Sequence, residues 1–309
     1  MTNAPSVVIF GRRGFIGSAL TDCLTARGYS VIGVTRSNNL YSDTRVRDVH
    51  WDASASGDWT ETLSGAAAVI NLAGENLATG IWTLSKRNSI RDSRLRSTDL
   101  IVEALLRCPV PPRVFCQASA IGFYGANQPA RVTESTPPGH GFLAGIVQEV
   151  ERRVEQADPA CRILFLRTGI VLGCMGGYFR AFTLPFRLGF GAYIGNPDAL
   201  LSWIHLHDTA SAVAHLIEHD SSHGPYNLVA PVPVRLGDLA EAVARHLNRR
   251  VWFRIPPRLL GWLPGRMSEE LFSGSLEAAS GRLEETGFQF TFPAIESALG
   301  DLLGARTAT

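Results

Sequence analysis

The sequence predicts an α/β fold, a doubly wound parallel sheet followed by a smaller, mostly helical C-terminal region. Three observations predict it. Short β-branched apolar runs alternate with longer amphipathic stretches as far as Arg167. A glycine-rich turn separates the first run from the first helical pattern. After Leu172 the texture changes to a stretch rich in glycine and aromatic residues.

Residues 7–10, 30–35, 46–51, 67–72, 113–118 and 162–167 read as strands, because each is a short apolar run bounded by turn formers. Between them lie helical patterns such as 16–27 and 84–106. Such βαβ alternation covers a parallel sheet with helices on both faces, and right-handed crossovers make the doubly wound order the expected topology. Beyond Leu172, Gly173, Gly176, Gly177, Gly189, Gly191 and Gly195 predict long loops with short helices. Residues 202–206 read as a strand, 208–219 and 236–247 as helices, and 251–255 as a last strand before a mostly helical tail that Pro256 and Pro257 open. The expected division is therefore 1–175, with 202–230 returning to it, and a smaller region made of 176–201 and 231–309.

At 309 residues and 45% hydrophobic content, the chain has material for a sizeable core and a smaller partner. Its net charge of +1 provides no general field for nucleic acid or an anionic membrane, so neither is an expected partner. The positive residues are almost all arginine, since Lys86 is the only lysine. No apolar run reaches the roughly 18 residues that a membrane span needs. Residues 1–6 lead into the first strand without a basic-then-apolar leader, and the expected location is cytoplasmic. The five cysteines lack metal-ligand spacing and are expected to be free, buried thiols; no metal is predicted. The oligomeric state is left open.

The first strand runs into Gly11-Arg12-Arg13-Gly14-Phe15-Ile16-Gly17, and a helix follows. Gly11 permits a tight turn, Gly14 lets the backbone approach a pyrophosphate, and Gly17 lets helix and strand pack closely. The amides of the first helical turn, with Phe15 and Ile16, then face the phosphates. Strand before, helix after and a complete second βα unit supply the context that gives this spacing meaning, and a Rossmann-type dinucleotide site is expected. At the end of the second strand an NAD site usually places a carboxylate for the ribose 2′-hydroxyl. This chain has Thr35-Arg36-Ser37 there. Arg36 suits a 2′-phosphate, Arg12 and Arg13 can reach the same group, and the expected cofactor is NADP(H).

The glycine turn, Asn71-Leu72-Ala73-Gly74 and Ser119-Ala120-Ile121-Gly122-Phe123-Tyr124-Gly125 resemble the extended short-chain dehydrogenases/reductases. Further segments resemble the epimerase/dehydratase-like branch that carries its own small C-terminal domain: Trp82 through Ser93-Arg94, the run from Leu166 to Gly173, Ser202-Trp203-Ile204-His205 with Asp208, Gly224-Pro225-Tyr226-Asn227, and the Leu283–Leu299 region. The resemblance implies that Leu72, Ala73 and Gly74 line the ribose and nicotinamide side of the cofactor, that Asp52 touches adenine, and that Arg167 and the residues after it skirt the nicotinamide.

The proton-handling residues depart from that family. Its members use a Tyr-x-x-x-Lys pair, whose ammonium lowers the phenol pKa, on the helix after the fifth strand. Here that helix reads Phe142-Leu143-Ala144-Gly145-Ile146-Val147, and Lys86 has Trp82 four residues before it, so the pair occurs nowhere. Ser119, near the usual serine position, and Tyr124 are the remaining catalytic candidates. Each has a structural alternative: a local hydrogen bond for Ser119 and pocket shaping for Tyr124. His205, His140 and Arg94 are weaker candidates of the same kind. Two functional readings stand: a reductase or epimerase/dehydratase-type enzyme acting on a small molecule, and a non-catalytic NADP(H)-dependent sensor or scaffold.

Overall fold

The computed structural model describes residues 4–53, 57–75, 83–126, 128, 130–256 and 275–304. In chain order these form β1 (Ser6–Phe10), α1 (Phe15–Ala26), β2 (Ser30–Thr35), β3 (Val46–His50), α2 (Asp58–Glu61), β4 (Ala68–Asn71), α3 (Leu84–Leu106), β5 (Val114–Ala120), a 3-10 turn (Ile121–Tyr124), α4 (Phe142–Ala157), β6 (Arg162–Thr168), β7 (Ile170–Leu172) and α5 (Gly177–Arg187). The remainder comprises β8 (Ala192–Ile194), β9 (Leu200–Leu201), β10 (Trp203–His205), α6 (Leu206–Glu218), β11 (Gly224–Leu228), β12 (Val234–Arg235), α7 (Leu236–His246), β13 (Phe253–Ile255), α8 (Gly281–Glu285) and α9 (Ile295–Gly304).

Seven strands make one sheet in the order β11-β6-β5-β4-β1-β2-β3, and every neighbouring pair in it is parallel. It is the Rossmann-like doubly wound sheet that the alternation predicts. Alternate residues of β1 serve opposite faces: Val7 and Ile9 pack with Leu20, Leu24, Val213 and Leu216 of α1 and α6. Val8 and Phe10 pack with Trp51, Trp59, Ile101 and Leu105 on the other side. Burial on both faces is why these strands read as continuous apolar runs rather than as alternating ones.

Three segments differ from expectation. The 177–187 stretch is one helix, α5, rather than loop with short helices, and it buries Phe179, Phe182 and Phe186 at helical spacing. Gly224–Leu228, not expected as a strand, closes the sheet beside β6. Pro225 disguised it, and a proline is tolerated there because the strand lies at the edge. The strand expected at 202–206 forms as β10, but it pairs with β7 outside the main sheet. Of the helical tail expected after Pro257, residues 257–274 and 305–309 lie outside the described residues, and the described part carries α8 and α9.

A second core joins α5, α7 and α9 through Phe179, Phe186, Trp203, Leu239, Val243 and Leu299. Asp208, fully buried in the first turn of α6, ties this region to the sheet. Its two carboxylate oxygens accept the Thr291 and Phe292 amides, each at 2.9 Å. Asp208→Ala leaves both amides without their acceptor and is expected to cost about 2–4 kcal/mol of stability, measurable by urea unfolding. A loss inside the error of that measurement would show that this tether is dispensable.

Candidate functional site

The strand order reverses between β1 and β4, so the turns that leave their C-terminal ends diverge and open a crevice. Gly11 holds φ +84°, and a Cβ there would lie 3.0 Å from the Leu72 carbonyl oxygen. A Cβ on Gly17 would stand 2.3 Å from the Gly11 oxygen. The two turns and α1 therefore pack backbone to backbone. Gly14, whose amide donates to the Gly11 carbonyl at 2.9 Å, starts α1 with no side-chain cap and no acidic residue in the first turn. The leading amides of this helix are thus left for an anion. Phe15 fills the space that Gly173, Gly176 and Gly177 leave, where added Cβ atoms would come within 2.7–3.1 Å of its ring or Cβ-proximal atoms. Ile16 is half-buried beside it.

The turn after β4 is held from beneath. Leu72 donates its amide to Phe10 at 3.0 Å, Ala73 to Asn71 Oδ1 at 3.1 Å, and Glu75 to Ser93 Oγ at 3.0 Å. Lys86 pairs with Glu75 at 2.5 Å and holds its carboxyl below the usual range. Arg94 lies over Gly74, its Cγ 3.2 Å from where a Cβ would be, and donates to the Ile90 carbonyl at 3.0 Å. The polar face of α3 thus fixes the 72–75 backbone. Asp52 lines a cavity of about 750 Å³ with His50 and Trp59.

At the end of β2, Arg36 is exposed and makes no hydrogen bond or ion pair among the described residues, while Arg12 and Arg13 are not loose surface arginines. Both grip Asp48 on β3, Arg12 at 2.8 and 2.9 Å and Arg13 at 2.6 and 3.2 Å. Asp48 was not anticipated from the sequence. Burial pushes its carboxyl up, but hydrogen bonds from Arg13 and Arg12 outweigh burial and hold it below the ordinary value. A carboxyl depressed by folding stabilises the fold fully above its unfolded pKa of about 3.9. That contribution is lost as pH falls through the lower, folded value.

The hydroxyls of the two catalytic candidates are engaged by protein groups. Tyr124 is fully buried. Its hydroxyl donates to Asn227 Oδ1 at 2.7 Å and accepts from Arg167 Nη1 at 2.9 Å. Burial pushes its phenol above the ordinary value, and Arg167 offsets only part of this. An activated tyrosine needs the opposite shift. Ser119 donates to Glu151 Oε1 at 2.6 Å.

Arg167, expected beside the nicotinamide, has its guanidinium engaged by protein groups. It is buried and bound to Glu151 through Nε at 3.0 Å and Nη2 at 2.7 Å, with its guanidinium 3.5 Å from the Phe123 ring centroid. Asn227 completes the cluster, with its backbone N–H donating to Glu134 Oε1 at 2.8 Å and its Nδ2 to the Ala279 carbonyl at 3.1 Å. Glu151 and Asn227 were missed. The helix that would carry the family dyad, α4, instead inserts Glu151 into the interior. His205, also buried, caps α6 by accepting the His207 amide at 3.1 Å and lies against Phe292, ring centroids 4.0 Å apart and planes inclined at 40°. All five cysteines are free, and burial pushes the Cys116 thiol up to about 12. Among the described residues no cluster of three or more metal-ligating side chains occurs, and no helix is long and apolar enough to cross a membrane.

Comparison with known proteins matches the same parts of the chain. Residues 7–143 match the NAD dependent epimerase/dehydratase family, and residues 255–302 match DUF1731, a domain of unknown function. Human epimerase family protein SDR39U1 is 30% identical over 96% of this chain and 99% of its own. Epimerase family protein ML0860 of Mycobacterium leprae is 33% identical over 95% of this chain and 94% of its own. The crystal structure of human SDR39U1 (isoform2) with NADPH superposes with a TM-score of 0.85 at 29% identity, covering 97% of this chain and 99% of that one. This chain therefore belongs to the NAD dependent epimerase/dehydratase family, in the company of the epimerase family proteins.

Proposed function

We propose that the protein binds NADP(H) across the C-terminal ends of β1 and β4 and acts as a reductase or epimerase/dehydratase-type enzyme on a small organic substrate in the cytoplasm. The observation that carries the reading is the basic group at the β2 end: Arg36 exposed, with Arg12 and Arg13 reaching the same loop and no carboxylate at 35–37, where an NAD site places one. The human relative crystallised with NADPH supports the same cofactor. The leading amides of α1 hold the pyrophosphate, the 72–74 backbone bears the adjoining ribose, and Phe15 closes the crevice against the 173–177 turn. When bound, the nicotinamide supplies or takes up the hydride.

A titration of NADPH against NADH on the wild type and on Arg36→Ala tests the cofactor. The variant should lose about 10- to 100-fold in NADPH affinity with NADH little changed, the effect of one charge-assisted phosphate contact. Equal wild-type affinities would overturn the assignment.

One observation favours a second reading, a non-catalytic NADP(H)-dependent sensor or scaffold: the hydroxyls of Ser119 and Tyr124 are both engaged within the protein. Oxidation of NADPH across a panel of carbonyl compounds separates the two readings. In either case Tyr124→Phe should keep NADPH binding intact and lose about 1–2 kcal/mol of stability, since it removes a buried hydrogen-bonded group and no ligand contact. A Tyr124→Phe variant that folds normally but no longer binds NADPH would place the hydroxyl in the site after all.

A further inference from the structure

Asp48 lies on β3, the outermost strand of the sheet, yet its side chain is completely buried. Five donors converge on it: two from Arg12, two from Arg13, and the Tyr41 amide at 3.1 Å. The space for this arrangement comes from Gly33, its partner in the β2–β3 register. A Cβ on Gly33 would stand 2.4 Å from Asp48 Oδ1 and 2.5 Å from Arg12 Nε. Arg12 and Arg13 are adjacent in sequence and carry like charges, so without a shared counter-ion they would splay into solvent. With Asp48 between them they lie side by side. Arg13 reaches on to Ser37 Oγ at 3.3 Å and to the Asn39 carbonyl, across the loop that bears Arg36. The two arginines wall a cavity of about 320 Å³ with Asn39, Leu40 and Tyr41.

We propose that Asp48 is the positioning residue for 2′-phosphate recognition: it fixes Arg12 and Arg13 as a pair beside the loop after β2 and thereby sets the preference for a phosphorylated over an unphosphorylated dinucleotide. This rests on the NADP(H) reading. Asp48 does not act as the ribose-binding carboxylate of an NAD site, because both its oxygens are already taken up by the arginines and the Tyr41 amide. Arg12 keeps its Nη1, and Arg13 one N–H of its Nη1, as donors for a phosphate, and the two arginines with Asp48 carry a net charge of +1 that Arg36 raises to +2. Preorganisation of this kind raises affinity by removing the ordering cost at the moment of binding.

The test is a titration of the full chain with NADPH and with NADH, on the wild type, Asp48→Asn and Asp48→Glu. Asp48→Asn should weaken NADPH by about tenfold or more while NADH stays within about twofold. Asp48→Glu keeps the charge and lengthens the arm, so it should shift the ratio in the same direction, and it carries the test if Asp48→Asn does not fold. Equal weakening of both dinucleotides would reduce Asp48 to a structural residue and overturn the proposal. Tighter NADPH binding by Asp48→Asn would overturn it too, because charge rather than position would then govern. Failure of the underlying cofactor reading is separate: it appears in the wild type alone, as a ratio near one before any substitution.

Discussion

Glu151→Gln is expected to lose about 3–5 kcal/mol of folding stability, read as a drop in the midpoint of urea or guanidinium unfolding. The Glu151 and Arg167 side chains are each only 5% exposed and are joined by two hydrogen bonds of 3.0 and 2.7 Å. Glutamine keeps the volume but leaves the Arg167 guanidinium charged, buried and without a counter-ion. The neighbouring Phe123 face offers only a weak cation–π partner in place of the carboxylate. Removing both charges at once, as Glu151→Leu with Arg167→Met, should cost less than either single change, because no uncompensated charge then remains. If the double variant instead lost the sum of the two singles, the two side chains would be uncoupled, and each loss would come from its own packing and other hydrogen bonds rather than from the ion pair.

What could be read in advance follows from the range of the interactions. Helix α3 came out with its expected bounds, and β2 likewise, because local propensity and periodicity dictate them. The glycine turn was legible for the same reason, since strand, turn and helix are consecutive. Asp48, Glu151 and Asn227 were missed because their partners are remote: Asp48 meets Arg12 from 36 positions away, and Asn227 meets Tyr124 from 103. Yet two of them left a trace. Asp48 shares the buried phase of β3 with Val46, and Glu151 falls between Val150 and Val154 on the buried side of α4. An acid at the apolar phase of an element requires a buried partner. In this chain those partners are arginines, Arg12 and Arg13 for one and Arg167 for the other. Arg167 and Glu151 satisfy each other as a buried pair.

Gly17→Ala is expected to weaken dinucleotide binding by about 100-fold and to destabilise the fold by about 1–3 kcal/mol. The added methyl would meet the Gly11 oxygen at 2.3 Å and the Arg12 Cα and carbonyl oxygen at 2.8 Å. All three are backbone atoms and cannot rotate aside as a side chain would. Relief comes only by moving the start of α1 away from the turn that follows β1, which withdraws the leading amides from the phosphate position and disturbs Arg12 together with its hold on Asp48. Gly14→Ala separates these effects. Its Cβ meets one atom, the Gly11 oxygen, at 3.1 Å, so the helix can stay in place while the methyl faces the approach of the pyrophosphate. Gly14→Ala should therefore lose affinity with little change in unfolding midpoint, whereas Gly17→Ala should lose both. Wild-type affinity in a folded Gly17→Ala variant would mean that close packing of α1 on the β1 turn is not what presents the amides to the cofactor.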